Sequence, residues 1–581
     1  MKLIRQYLAS LKERDELDAV LPDLLSQIGL NVYSRPGRGT RQDGVDVAAV
    51  GSLDGSNEKV YLFSIKAGDL TRSSWDGDSV QSLRPSLNEI LDSYIPNRLP
   101  NEHKDKDVVV CLCFGGDIQE QVRPQVEGYI KQNERNNLTF EEWNGDKLAS
   151  MILANFLRED LLPQQARSQL RKSLALLDEP EASYQHFSAL IRSLSSIEST
   201  KDKDQLTAIR QIIICLWILF SWTRDANNIE SAYLSSEFAL LHSWKIAKGY
   251  FAKTTKVAKD VQLAFQSILI VYQQINSQYL GEKILPHTHK RHALSVAVQP
   301  SCNLDVNLKM FDVLGRLAIG GIWAYWSTQR ISKDEAEVLE KMWEEVQSIS
   351  NAIKQLISNN PTLLLPIKDD QGIDIFIATL LLFIDSNNHN DIRKWLSELV
   401  ERATFANKTN GQYPCNLSSY SELLEHPQQD CDNYHQEVTS GSILFPIIAL
   451  FASLLGDNDL YNQVQSLKKN HLSHCNFQFW YPDESSETHF YTNSDAHGAT
   501  LSHACIERSI DEFTNQAFAE CSHTPYFETL SAIEYGLWPI VLVACRHYRI
   551  PVPLHLMEGL RDTSQLSIVS RQERNKPNKA N

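Results

Sequence analysis

Asp46 and Lys66 flank the ends of two short apolar stretches, "VDVAAVG" and "KVYLFSIKA", joined by a turn around "LDGSNE". Metal-assisted hydrolysis of a phosphodiester needs carboxylate oxygens to hold Mg²⁺ or Mn²⁺. It gains from a lysine beside the attacking water and the charge that develops on phosphate. In a strand, Ser64 and Lys66 point to one face and Ile65 to the other. Across an antiparallel ladder, Asp46 joins them if the register is right. A lysine in so apolar a strand is seldom buried without a partner, which favours a functional role for Lys66. Ser64 is a weak neutral ligand, so Asp46, the backbone oxygen of Ile65 and water are left to hold an ion. Asp43, before the first strand, and Asp69, after the second, are the acids placed to compensate. A basic, glycine-rich loop carrying Arg35, Arg38 and Arg41 precedes Asp46, and Arg72 follows Lys66. Such residues grip a phosphate backbone without reading sequence. Gln81, further on, is a weaker candidate for a supporting contact.

The surrounding elements must place these groups. Leu17, Val20, Leu21, Leu24, Leu25 and Ile28 recur at helical spacing within residues 1–30, and Gly29 marks the stop. The two stretches then read as a hairpin turning near Asp54-Gly55. A helix is expected over 79–94, and "VVVCLCF" reads as a strand covered on both faces. A helix follows from about 119 to 132. "LTFEEWNGDKLASMILANFL" supplies a strand, a turn and a closing helix. The expected fold is an α/β sandwich around a mixed sheet at the N-terminus, followed by a large all-α region.

The run Asp43-Gly44-Val45-Asp46-Val47, followed by Phe63-Ser64-Ile65-Lys66-Ala67, resembles the core of the PD-(D/E)xK nuclease superfamily. Its nearest likeness is to Mrr-like restriction endonucleases. The resemblance covers roughly residues 5–160 and rests on the order and spacing of short motifs. It implies a metal-binding role for Asp46, a lysine at 66 that assists the nucleophilic water, and Mg²⁺ or Mn²⁺ as cofactor. It also implies a glutamate on the first helix, for which Glu16 is the match. The chain departs from the pattern at Ser64, where an acid or glutamine is usual. The implied activity is endonucleolytic cleavage of DNA in a bacterial restriction or anti-phage setting. A nuclease-like domain that binds without cutting is the rival reading.

A formal net charge of -16 argues against a chain coated in basic surface, which suits a regulated activity. Past residue 165, long helical patterns rich in Leu, Ile, Tyr and Trp take over. Residues 166–561 read as a sensor, docking or oligomerisation region, and 562–581 as a disordered tail. Apolar runs at 212–222, 373–384 and 443–455 fall short of the roughly 20 residues that span a bilayer, so no membrane is expected. The first residues turn charged before a secretory signal forms, and the ten cysteines show no disulfide framework, which points to the cytoplasm. His471, His474, His489, His497 and His503 cluster with Cys475 and Cys505, but at spacings that match no standard zinc site. A protein partner or phage-derived activator acting through the helical region, and a homodimer, are the expected associations.

Overall fold

The computed structural model describes residues 5, 8, 9, 13, 17–35, 42–53, 55, 57–77, 82–155, 164–196, 201–331, 335–428, 433–492 and 499–560. The chain divides into two compact units, Met1–Ile275 and Asn276–Asn581.

The first unit begins with helix α1 (Asp18–Gln27) and strands β1 (Asn31–Ser34), β2 (Val47–Gly51) and β3 (Lys59–Lys66). Helices α2 (Arg72–Asp76) and α3 (Leu83–Glu89) lead to β4 (Val108–Phe114). Then come α4 (Arg123–Asn133), β5 (Leu138–Trp143) and α5 (Gly145–Asn155). The five strands form one sheet in sequence order. β1, β2 and β3 run antiparallel, whereas β3, β4 and β5 run parallel. The start of β2 and the ends of β1, β3 and β4 therefore meet at one edge of the sheet.

Alternation along the strands builds both layers. Ala48, Leu62, Val110 and Leu112 join a core completed by Trp75 of α2, Leu87 of α3 and Val126 of α4. Val47, Phe63, Ile65 and Cys111 alternate with them and are fully buried towards the opposite layer. There Phe63 meets Trp143 edge-on at 4.9 Å, and α1 packs against β1, β2 and α5.

The expected hairpin, the buried strand and the closing strand–helix pair are all present. Two elements differ from expectation. β1, "NVYS", adds a fifth strand at the sheet's edge, where its side chains are half-buried or exposed. The helix expected over 79–94 begins at Leu83 and passes into a π-helical turn at Ile90–Tyr94.

Helices α6 (Gln164–Ala175), α7 (Pro180–Ser195), α8 (Asp202–Asp225) and α9 (Glu230–Ala247) follow in the first unit. The apolar run 212–222 lies within α8. Among the described residues α8 is the one helix long and apolar enough to cross a membrane, and it is mostly buried inside the protein.

The second unit is mostly helical around α10 (Asn303–Thr328), which packs against α11 (Gly372–Phe383). It also contains a small sheet that the sequence did not suggest. β6 (Gly441–Ser442) pairs in parallel with β7 (Asn476–Pro482), and β8 (Ala499–His503) pairs antiparallel with β7. Helix α12 (Leu444–Leu454) leaves directly from β6, and α13 (Pro539–Tyr548) lies near the chain's end. The tail at 562–581 lies outside the described residues.

Candidate active site

Asp46 lies one residue ahead of β2. Its N–H donates to the carbonyl oxygen of Phe63 at 2.9 Å, the residue that Val47 already faces in the ladder. Two residues opposing one is the arrangement of a β-bulge, which re-aims the side chain at that position. The Asp46 carboxylate consequently turns onto the β3 backbone, where Oδ2 accepts the N–H of Ile65 at 2.7 Å. Simple ladder alternation had placed Asp46 beside Ser64 and Lys66 by side-chain facing alone. The observed link instead runs through the main chain of the residue between those two.

The turn before Asp46 is locked. Asp43 sits at φ 47° and Gly44 at φ 81°. A Cβ on Gly44 would lie 2.0 Å from the carbonyl oxygen of Ser86, so this position admits only glycine. The Asp43 carboxylate is buried and paired with Arg98 Nε at 2.5 Å. Asp69 accepts the N–H of Asp117 at 2.9 Å. Each of these acids thus has a structural partner.

Lys66 ends β3 and is only 6% exposed. Its Nζ lies 3.2 Å from Glu13 Oε1, with the glutamate side chain about one-third exposed (31%). Among the described residues, Glu13 is the carboxylate within ion-pair distance of Lys66. Glu16 lies outside the described residues. Sequence reasoning passed over Glu13 although it belongs to the same acidic cluster, "KERDELD". Residues three apart share a helix face, so periodicity alone does not choose between 13 and 16.

Ser64 is fully buried opposite Leu112. Its Oγ has no hydrogen-bond partner among the described residues. An unpartnered buried hydroxyl costs roughly 1–3 kcal/mol and calls for an explanation. On the other face Cys113 sits opposite Ile65. Burial, with the Asp46 charge adding to it, holds its thiol far above the usual range. Cys113 is therefore a neutral packing group, as its alternating pattern suggested.

Of the basic candidates, Arg35 lies at the end of β1 with Nη1 3.8 Å from Asp23. Arg72 opens α2 just beyond Lys66 and is exposed. Arg38, Arg41 and Gln81 lie outside the described residues.

Among the described residues, no group of three or more His, Cys, Asp or Glu side chains is arranged to hold a metal ion. That includes the described members of the histidine-rich stretch. His474 Nε2 is 2.7 Å from Thr439 Oγ1, and His503 Nδ1 is 2.5 Å from Asn476 Oδ1. The oxygen donors at the end of β3 are the Asp46 carboxylate, on the Ile65 backbone, the Glu13 carboxylate, on Lys66, and the Ile65 carbonyl. That set fits Mg²⁺ in kind, because Mg²⁺ commonly takes one or two carboxylates and keeps several waters.

Comparison of the chain with protein-family models, with curated proteins and with solved structures finds no match.

Proposed function

We propose that the first unit is a metal-dependent nuclease cleaving DNA, held in check by the rest of the chain, with restriction or anti-phage defence as its setting. One observation carries the reading. Asp46 is bonded to the N–H of Ile65 at 2.7 Å, and Lys66, the next residue, is held 3.2 Å from Glu13. Two acids and a buried lysine from three separate segments thus converge on the end of one strand.

In this reading Asp46, Glu13 and the Ile65 carbonyl would hold a divalent cation, Mg²⁺ or Mn²⁺. Such an ion supplies charge for phosphate oxygens and lowers the pKa of a coordinated water. The Ile65 N–H fixes the direction of the Asp46 carboxylate. The Lys66 ammonium, oriented by Glu13, presents its remaining donors to the attacking water or to the developing phosphate charge. Arg35, just after β1, and Arg72, at the start of α2, would position the backbone of the substrate. The acidic chain as a whole limits non-specific binding, in keeping with cleavage that a partner or foreign component switches on.

A second reading, a nuclease-like domain that binds without cutting, is favoured by Ser64. Its hydroxyl is sealed in the interior where the resemblance calls for an acid or glutamine. Purified protein with Mg²⁺ or Mn²⁺ is tested on supercoiled plasmid and single-stranded DNA beside Asp46→Ala, Lys66→Ala and Glu13→Ala. Metal-dependent cutting that all three substitutions abolish supports the nuclease. Silence in every condition, with DNA binding intact in the variants, supports the binding domain.

A further inference from the structure

The second unit contains a polar cavity of about 420 Å³, lined by Lys368, Asp369, Asp370, Asn416, Gln478 and Arg549 among others. That volume lies within the range of small-molecule sites, roughly 300–1,000 Å³. Its floor is rigid for a chain of reasons beginning in the core. Asp312 on α10 binds Arg316 and, at 2.9 Å, Arg546 of α13. Beside this cluster Asp374 of α11 is almost fully buried and binds Arg549 Nη2 at 2.9 Å. Asp370 then bridges Arg549 at 3.3 Å and Lys368 at 2.8 Å. Both cations are thereby held in place before any ligand arrives, which lowers the entropy cost of binding.

The hydrogen-bond accounting shows what is left over. Each Asp370 oxygen already has a cationic partner. Asp369 accepts Ser442 Oγ at 2.5 Å and the N–H of Ile443 at 2.8 Å. Burial nevertheless pushes its carboxyl up to about 6. The carboxylate oxygens of Asp369 and Asp370 thus each have a partner, whereas the two cations keep donors over. All bonds from Arg549 use Nη2, so Nε and Nη1 have no partner among the described residues. Lys368 Nζ makes a single bond, leaving donors over. Asn416 donates to Gly441 O through Nδ2, which leaves its carbonyl oxygen available. A cavity with two oriented cations and a surplus of N–H donors suits a ligand rich in acceptor oxygen.

We propose that this cavity binds a small organic oxyanion, a phosphate monoester or a carboxylate, carried on a polar body of about mononucleotide size. The anionic group lies against Lys368 and Arg549, and the polar body against Gln478 and Asn416. The site is independent of the nuclease reading, since it lies wholly within the second unit and is read out by binding.

The full chain is titrated by calorimetry with adenosine 5′-monophosphate and glucose 6-phosphate as the phosphate arm, and glucuronate as the carboxylate arm. Adenosine and glucose serve as neutral controls. Saturable binding is expected in one oxyanion arm, which identifies the source, with the neutral controls silent. Lys368→Ala removes a charge-assisted contact and should weaken binding roughly 10- to 100-fold. Gly441→Val leaves every charge in place but grows a side chain towards Gln478, whose Nε2 would lie 3.4 Å from its Cβ. It should weaken binding by taking up cavity space beside Gln478, and it carries the test if Lys368→Ala does not fold. The proposal is overturned if no oxyanion probe binds, if the neutral bodies bind equally well, or if a folded Gly441→Val variant binds like the parent.

Discussion

Replacing Glu13 with alanine should loosen β3 more than removing the lysine it partners. At 3.2 Å two unit charges attract by about 5 kcal/mol at an effective dielectric constant of 20. Lys66 is buried, but nearly a third of the Glu13 side chain reaches water, so screening takes back much of that attraction. A net loss of about 1–3 kcal/mol remains when the ammonium is left buried without its counter-charge. Lys66→Met removes the charge that needs the partner and keeps a linear apolar chain of similar length. It should cost less than Glu13→Ala, and the double variant should lie closer to the parent than Glu13→Ala does. Because the chain has two units, a global melt would blur the effect. Amide hydrogen exchange over Lys59–Lys66, resolved by mass spectrometry, reads local opening directly. The expected acceleration in Glu13→Ala is about 5- to 150-fold, largely reversed in Glu13→Ala/Lys66→Met. Equal acceleration in the single and double variants, or none in either, would refute the ion pair as the reason Lys66 is tolerated inside.

Gly44→Ala should destabilise the first unit by about 2–4 kcal/mol, through a left-handed φ and a clash with the Ser86 carbonyl. An unchanged urea midpoint for that unit, followed by pulse proteolysis, would contradict this. Asp369 has a folded-state pKa of about 6 against an ordinary 3.8. The native state therefore holds its proton longer than the unfolded chain does, and this group's contribution falls as pH rises from about 4 to 6. Relative to Asp369→Asn, the parent should lose on the order of 3 kcal/mol across that window. Exchange rates in α12 measured at pH 4 and pH 7 check it, and parallel behaviour of the two proteins would count against a buried carboxylate.

How legible the fold was depended on how much local signal each element carried. β2, β3 and β4 announce themselves because they are short apolar runs rich in valine and aromatic residues, set between turn residues. β1 gives no such signal. Four residues that include Asn31 and Ser34 pair only because β2 offers an open edge, a tertiary cause invisible to local pattern. β7, "NFQFWYP", carries strand-forming aromatics, yet its partners β6 and β8 are two and five residues long. At the candidate site the residue types were legible in the sequence, but the local backbone at Asp46 was not. Asp46 reaches the end of β3 through the N–H of Ile65, because the bulge at Asp46 breaks the simple two-residue alternation. Among the described residues the glutamate that reaches Lys66 is Glu13, from the same acidic cluster as Glu16. Arg98, which fixes Asp43, could not be found by pattern, because 55 residues of chain separate the two.

The first residues of the chain must wait for partners made much later. Arg5 pairs with Asp117, 112 residues later, and the carbonyl of Leu8 lies so close to Gly115 that a Cβ there would overlap it. A ribosome adding about 5–20 residues per second takes roughly 5–20 s to make the distance between them. During that interval the segment bearing Glu13 has no β4 to dock on. Whatever chemistry the sheet edge performs, Glu13 and Lys66 are brought together only after β4 has been synthesised. A nascent chain that stalls before that point carries Asp46 and Lys66 without the scaffold that brings Glu13 to them.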